Sequence, residues 1–144
     1  MGKMDLETIT SRKNPHIQRV KKLISSSSYR QSENAFVVEG VRLVEEAIAS
    51  GWKIQEAFIS GSLSERGKAL FAGITDPACA RFQVSDAVME DLTDTDTPQG
   101  ITTVLLQQDM AIPGKPDFIL ILDAIRDPGN VGTTLRTASA AGVN

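Results

Sequence analysis

The sequence has one cysteine and one histidine in 144 residues. A lone cysteine, Cys79, excludes an internal disulfide and fits a reducing compartment. Cys79 and His16 are too few to build a zinc site, and no metal is expected. His16 sits in a basic polar stretch with no evident partner, so Cys79 reads as a small, semi-buried residue and not as a catalytic thiol. No apolar run approaches the ~20 residues that span a bilayer. The opening Met1-Gly-Lys-Met-Asp5 lacks the apolar core of a signal peptide, so the expected location is cytoplasmic, without a membrane partner. Internal repeats are also missing.

What is present is the composition of a soluble globular protein, 41% hydrophobic and 23% charged. The length suffices for one ordinary domain with a real core and not for two. A formal net charge of −3 speaks against nucleic acid as a partner. The distribution speaks the other way. Up to Arg30 there are seven basic residues (Lys3, Arg12, Lys13, Arg19, Lys21, Lys22, Arg30) against Asp5 and Glu7, while the remainder carries eight basic and sixteen acidic residues. Such asymmetry is what a local phosphate-facing patch produces, although a solvated helix face is the commoner source of any one cluster.

Along the chain, Ile9 to Pro15 reads as a polar lead-in. Pro15 to about Ser25 reads as an amphipathic basic helix, with Ile17, Val20, Leu23 and Ile24 at helical spacing and Pro15 suited to its first turn. The serine-rich run Ser25–Glu33 has neither periodicity nor bulk and reads as a mobile loop. Then follow a strand at Ala35–Glu39, a turn at Gly40, a helix from Val41 to Ser50, a strand at Lys53–Ser60 and a helix started by Ser64. A strand at Arg81–Val84, a short helix capped by Ser85, a loop at Thr93–Gly100 and a strand at Ile101–Leu106 complete this part. Alternating short strands and helices predict a two- or three-layer α/β domain with a mostly parallel sheet. Residues 107–116, with two prolines and a glycine, read as a linker, dividing the chain into 1–106 and 117–144.

The last stretch is the most specific. Phe118-Ile-Leu-Ile-Leu122, ending at Asp123, reads as a buried strand. Asp127-Pro-Gly129 is turn chemistry, Asn130 the expected N-cap, and Val131–Ala141 a helix closed by Gly142. Open α/β sheets keep their sites at such strand ends. Asp123 and Asp127 offer a carboxylate pair for metal or acid–base work, but their surroundings fit loop architecture better. Thr93-Asp-Thr-Asp-Thr97 lacks the buried strand that an aspartyl-phosphate nucleophile requires. Gly129-Asn-Val-Gly-Thr-Thr134 lacks the lysine of a phosphate loop.

Taken together, Asp123, Asp127-Pro-Gly-Asn130, Gly132, Leu135-Arg-Thr-Ala138 and Gly142 resemble the first motif of the SpoU/TrmH family of RNA ribose 2′-O-methyltransferases, part of the knotted SPOUT class. More loosely, Ser11–Pro15, Arg30, Phe36-Val-Val-Glu-Gly-Val-Arg42 and Thr95–Gly100 look like the substrate-binding domain that precedes catalysis in that family. The resemblance implies a small RNA substrate-binding α/β domain over 1–106, then the first strand and helix of a truncated knotted methyltransferase domain over 117–144. It implies an S-adenosylmethionine-dependent enzyme whose cofactor pocket lies beyond Asn144, structured RNA (ribosomal or transfer) as partner, and a homodimer made through the missing catalytic domain. Arg136 is by resemblance the catalytic arginine, aided by Asn130, with pairing to Asp123 or Asp127 as its structural alternative. Arg12, Lys13, Arg19, Arg30 and Arg42 are the expected RNA contacts, with Tyr29 available for stacking. Glu39 pairing with Arg42 is the alternative for the latter. A stand-alone RNA-binding module without catalysis, and a small-molecule α/β enzyme acting at Asp123 and Asp127, are the competing functions.

Overall fold

The computed structural model describes residues 6–95, 97–109, 111, 114–115 and 117–143. Lys3 and Asp5 of the basic segment, Asp96 of the loop after residue 93, and Met110, Ile112, Pro113 and Pro116 of the expected linker lie outside the described residues. Two compact units follow one another, 1–108 and 109–144.

The first unit contains β1 (Glu7–Ile9), α1 (Pro15–Ser25), α2 (Ser27–Glu33), β2 (Ala35–Glu39), α3 (Val41–Ala49), β3 (Ile54–Ile59), α4 (Glu65–Ala72), β4 (Ala80–Val84), α5 (Asp86–Glu90) and β5 (Ile101–Leu106). Among the described residues, five strands form one sheet in the order β1-β4-β3-β5-β2. The β1–β4 and β4–β3 pairs are parallel, and β5 pairs antiparallel with both β3 and β2. Four strands therefore run one way and β5 alone opposes them, which is the mostly parallel sheet that the alternating pattern predicts.

Period-two alternation sends side chains to two cores. Phe58, Phe82, Val84 and Val104 meet Ile17, Val20 and Leu23 of α1 and Val88 and Met89 of α5. On the opposite face Ala57, Ile101 and Leu105 meet Val44 and Ala47 of α3 and Phe71 of α4. The architecture is thus three-layered. In β3 the alternation is broken once: Ile54 pairs with Leu105 and Glu56 with Val104, so Gln55 is an extra residue, a bulge. Ile54 and Glu56 consequently face opposite cores although they are two positions apart.

Local capping explains most helix boundaries. Ser64 Oγ accepts from Gly67 N–H and Ser85 Oγ from Val88 N–H, as their positions predict. The expected lead-in starts on the last residue of the short strand β1, Ile9, which pairs with Val84 and is buried in the first core. The serine-rich run is not a loop but α2. Ser26 caps it by accepting from Tyr29 N–H, Asn34 closes it in the left-handed region at φ 50°, and Tyr29 packs partly buried against the core with Lys22 over its ring. One side-chain cap, one left-handed closing residue and one aromatic anchor do for this segment what a hydrophobic stripe does for longer helices.

The described residues of the second unit form one helix, α6 (Pro128–Ala140). The expected strand at Phe118–Leu122 does not form, and Ile121 is 84% exposed. A strand needs a neighbour to take its main-chain groups, and the described residues of this unit supply none. The cap of α6 is Asp127, not Asn130: Asp127 Oδ1 accepts from Asn130 N–H at 2.7 Å, and Pro128 takes the first helical position. The carboxyl end is as expected. Gly142 at φ 78° follows the helix, and Val143 N–H and Gly142 N–H bond the carbonyls of Ala138 and Ser139.

Candidate nucleic-acid interface

Arg12, Arg19 and Lys21, three cations of the basic amino-terminal segment, are matched by acidic residues that come later in the chain. Arg12 Nε lies 3.3 Å from Asp91, its Nη2 donates to the Ala87 carbonyl, and Lys21 Nζ reaches the same Asp91 carboxylate at 3.1 Å. Arg19 donates to Glu33, Glu56 and Gln55 at 3.1, 3.1 and 2.9 Å. Burial works against the Arg19 charge, but hydrogen bonding and Coulomb attraction from Glu33 and Glu56 outweigh it and hold its pKa above the ordinary arginine value. His16, for which the sequence offers no partner, gives Glu56 its other contact through Nδ1 at 2.7 Å, with its ring 4.5 Å from that of Phe82. The bulge at Gln55 is what turns both Gln55 and the buried Glu56 toward α1. Lys13 is exposed beyond this network.

Arg30 and Arg42 behave differently, because both line one open groove of about 1000 Å³ with Leu23, Ile24, Phe36, Val37, Glu39, Leu43, Asp94 and Gln99. Arg30 Nη1 donates to the Leu23 and Ile24 carbonyls at 2.8 and 3.1 Å, closing the end of α1. Arg42 is paired with Glu46 one turn along α3 at 3.2 Å, not with Glu39, and its side chain is 86% exposed. Glu39 instead ties down the loop after α5, its two carboxylate oxygens accepting from Asp94 N–H and Thr95 Oγ1, each at 2.7 Å. Gln99 Oε1 accepts from Val41 N–H at 3.0 Å and so caps α3, whose own cap residue Gly40 has no side chain. Two separated stretches, Phe36–Arg42 and Thr95–Gly100, thus meet at the groove.

Two glycines make this junction possible. Gly40 has φ 87° and faces Gln99, while Gly100 has φ 77° and lies where a Cβ would come 2.8 Å from Leu63 N. Tyr29 is not a free stacking platform but part of α2. Leu43, 54% exposed in the groove, is a lining residue that the sequence reading omits. Its signal was available: Val44 and Ala47 define the buried face of α3, and Leu43 is a large apolar residue off that face.

β2 is also the outer strand of the sheet beside the groove. Hydrogen bonds Gln107 N–H to Asn34 carbonyl and Gly40 N–H to Ile101 carbonyl set the phase of the ladder, so the main-chain groups of Phe36 and Val38 face β5 and those of Val37 and Glu39 face outward.

In the second unit, Arg136 Nη2 donates to Thr133 Oγ1 at 3.1 Å, within its own helix, and the hydrogen bonds of its guanidinium involve neither Asp123 nor Asp127. The Asn130 main-chain carbonyl accepts from Thr134 Oγ1 at 2.8 Å. Asp127 occupies the amino end of α6 with its own negative charge, which does not fit that end as an anion cradle. Among the described residues there is no cluster of histidine, cysteine or carboxylate side chains able to hold a metal, and no helix is long and apolar enough to cross a membrane. Burial pushes the Cys79 thiol up to about 11, against a smaller opposing pull from Arg81.

Comparison with known proteins places these features. The MRM3-like substrate binding domain family matches residues 14–103, which contain the groove and the network around Glu56. The chain is 31% identical over 141 residues to the 23S rRNA (guanosine(2553)-2′-O)-methyltransferase RlmP of Bacillus subtilis, covering 96% of this chain and 53% of that protein. It is 30% identical over 134 residues to the mitochondrial rRNA methyltransferase 3 of Mus musculus, 31% of which is covered. Among solved structures, an rRNA methyltransferase from Sinorhizobium meliloti superposes with a TM-score of 0.79 at 28% identity, covering 96% of this chain and 52% of that one. The chain spans about half the length of these bacterial relatives and less of the mitochondrial one. It belongs to the MRM3-like substrate-binding domain family of the SpoU/TrmH RNA methyltransferases.

Proposed function

We propose that the chain is the RNA-binding part of an S-adenosylmethionine-dependent RNA ribose 2′-O-methyltransferase. Residues 1–106 are the RNA substrate-binding domain, 107–116 the linker and 117–144 the opening of the SPOUT methyltransferase domain, inactive on its own. The observation that carries this reading is the reach of the similarity, which takes in 96% of this chain but only 53% of a relative named as a 2′-O-methyltransferase. The exposed apolar run Phe118–Leu122 supports it as a strand still lacking its sheet.

When bound, S-adenosylmethionine supplies an electrophilic methyl group, and its pocket is assigned to residues beyond Asn144. Arg136 is assigned to the ribose end. A guanidinium remains protonated, so it stabilises the oxygen that gains negative charge and clamps a neighbouring phosphate. Asn130, in the first turn of the same helix, orients it or the substrate. Arg12, Lys13, Arg19, Arg30 and Arg42 serve RNA binding, directly or by shaping the face that meets it. Ribosomal RNA is the favoured substrate. The complete protein works as a homodimer in the cytoplasm, joined through its catalytic domain.

The test is methyl transfer to ribosomal RNA transcripts by the protein expressed from the reading frame continued past Asn144. The expected result is transfer that Arg136→Ala lowers about 100-fold or more while RNA affinity stays within about twofold. RNA binding without transfer in the extended protein would favour the non-catalytic RNA-binding module. Full transfer by Arg136→Ala would remove the arginine from the mechanism.

A further inference from the structure

We propose that the groove bounded by the α1–α2 corner, β2 and the amino end of α3 seats an unpaired stretch of the RNA, with phosphates on Arg30 and Arg42 and a base against Leu43 and Ile24. The proposal rests on the reading of the chain as an RNA-binding domain and specifies where and in what form the RNA is held.

Of the five cations expected to meet RNA, Arg30 and Arg42 are the two that line this groove. Arg12 and Arg19 are engaged with Asp91, Glu33 and Glu56. Arg30 uses Nη1 on two carbonyls, which fixes the guanidinium and leaves the hydrogen bonds of its other nitrogens to a ligand. The partner of Arg42 is Glu46 in an exposed pair one helical turn apart, a weak, solvent-screened interaction that a phosphate displaces readily. Glu39, the acidic residue between them in sequence, has both carboxylate oxygens bound by the Asp94–Thr95 loop. Asp94 is exposed at the groove, and its carboxylate repels phosphate but accepts from a ribose hydroxyl or a base amino group.

The apolar lining decides between paired and unpaired RNA. A duplex presents phosphates, hydroxyls and a shallow minor groove, none of which covers an exposed leucine. An unstacked base has an apolar face that does, and the sequence tolerance of such stacking suits a site with few side-chain donors. The outward main-chain groups of Val37 and Glu39 on β2 add donors and acceptors for a base edge.

The experiment is fluorescence anisotropy with the full chain, titrating a labelled single-stranded RNA of about twelve nucleotides and a blunt duplex of the same sequence at several salt concentrations. The single strand is expected to bind about tenfold tighter or more. Arg42→Gln should lower the salt slope by about 0.7, the share of one phosphate on a single strand. Leu43→Ser should weaken the single strand about fivefold with the slope unchanged, and Arg66→Gln, a charge loss outside the groove, should change neither. Equal binding of strand and duplex, unaffected by Leu43→Ser, would overturn the groove assignment while the RNA-binding reading stands. Binding of neither probe would overturn the RNA-binding reading and the groove with it.

Discussion

Gln99 caps a helix that begins 58 residues earlier, its side-chain oxygen accepting the Val41 N–H at 3.0 Å. A helix whose cap residue is Gly40 has no side chain of its own for that task. Replacing the cap with alanine typically costs about 1 kcal/mol. Gln99→Ala should therefore lower unfolding free energy by about that amount in urea titration, with an unchanged m-value. Gln99→Glu should retain the cap, since a carboxylate at a helix amino end is favourable.

Gly100 is the less forgiving neighbour. Its φ of 77° strains any other residue, and a Cβ would press within 2.8 Å of the Leu63 nitrogen, which is main chain and cannot swing aside. Gly100→Ala should cost about 2–3 kcal/mol, read as a lowered melting temperature. Gly51→Ala provides the comparison: it also has positive φ, but nothing lies within 4 Å of its Cβ position, so only the conformational share, about 1 kcal/mol, should appear.

Glu56 is 7% exposed and holds His16 and Arg19. Removing its carboxylate takes the contacts to His16 and Arg19 from this cluster and leaves Arg19 with Glu33 and Gln55, a loss on the order of 2 kcal/mol. Glu56→Ala should approach that figure in denaturant unfolding. Adding Arg19→Met in the same chain should cost less than it does alone, because the contact between Arg19 and Glu56 is then already gone. Simple additivity in that double-mutant cycle would contradict the coupling described here.

Cys79 provides a pH signature. The protonated thiol is neutral, and its pKa rises on folding from 9.0 to about 11, so the folded state binds the proton more tightly than the unfolded state. This contribution to stability is complete below about pH 9 and is lost as pH rises through about 11. Unfolding midpoints of the native chain should fall more steeply across that window than those of Cys79→Ala. At pH 8 the native thiol should alkylate about 100-fold more slowly than in denaturant.

Much of the first unit was legible because its signals are local. Ser64 and Ser85 announce helices one residue ahead, and Ile101–Leu106 is a strand long enough to show itself. What stayed hidden depended on partners distant in the chain. β1 is three residues that become a strand only against β4, and α2 lacks an apolar stripe, being held by Ser26, Tyr29 and Asn34. Phe118–Leu122 failed for the opposite reason, since its composition suits a strand but pairing needs neighbours. At the groove, Glu39 and Gln99 belonged to recognisable motifs, yet nothing in either motif says that Glu39 holds the second stretch and Gln99 the first. Asp127 rather than Asn130 became the cap because Pro128 fits the first helical position and starts the helix earlier.

The extra residue in β3 gives one short strand two parities. Before Gln55, even-numbered side chains serve the α3–α4 layer; after it, even-numbered side chains serve the α1–α5 layer. Both faces are buried, so the strand could not have placed an acid and an isoleucine two positions apart in opposite layers by any choice of side chains alone. Were Gln55 drawn into regular pairing instead, Ile54 and Glu56 would share one layer, setting either the acid beside Val44 and Phe71 or the isoleucine beside His16 and Arg19. The bulge is thus a matter of addressing: it decides which layer receives the residues on either side of it.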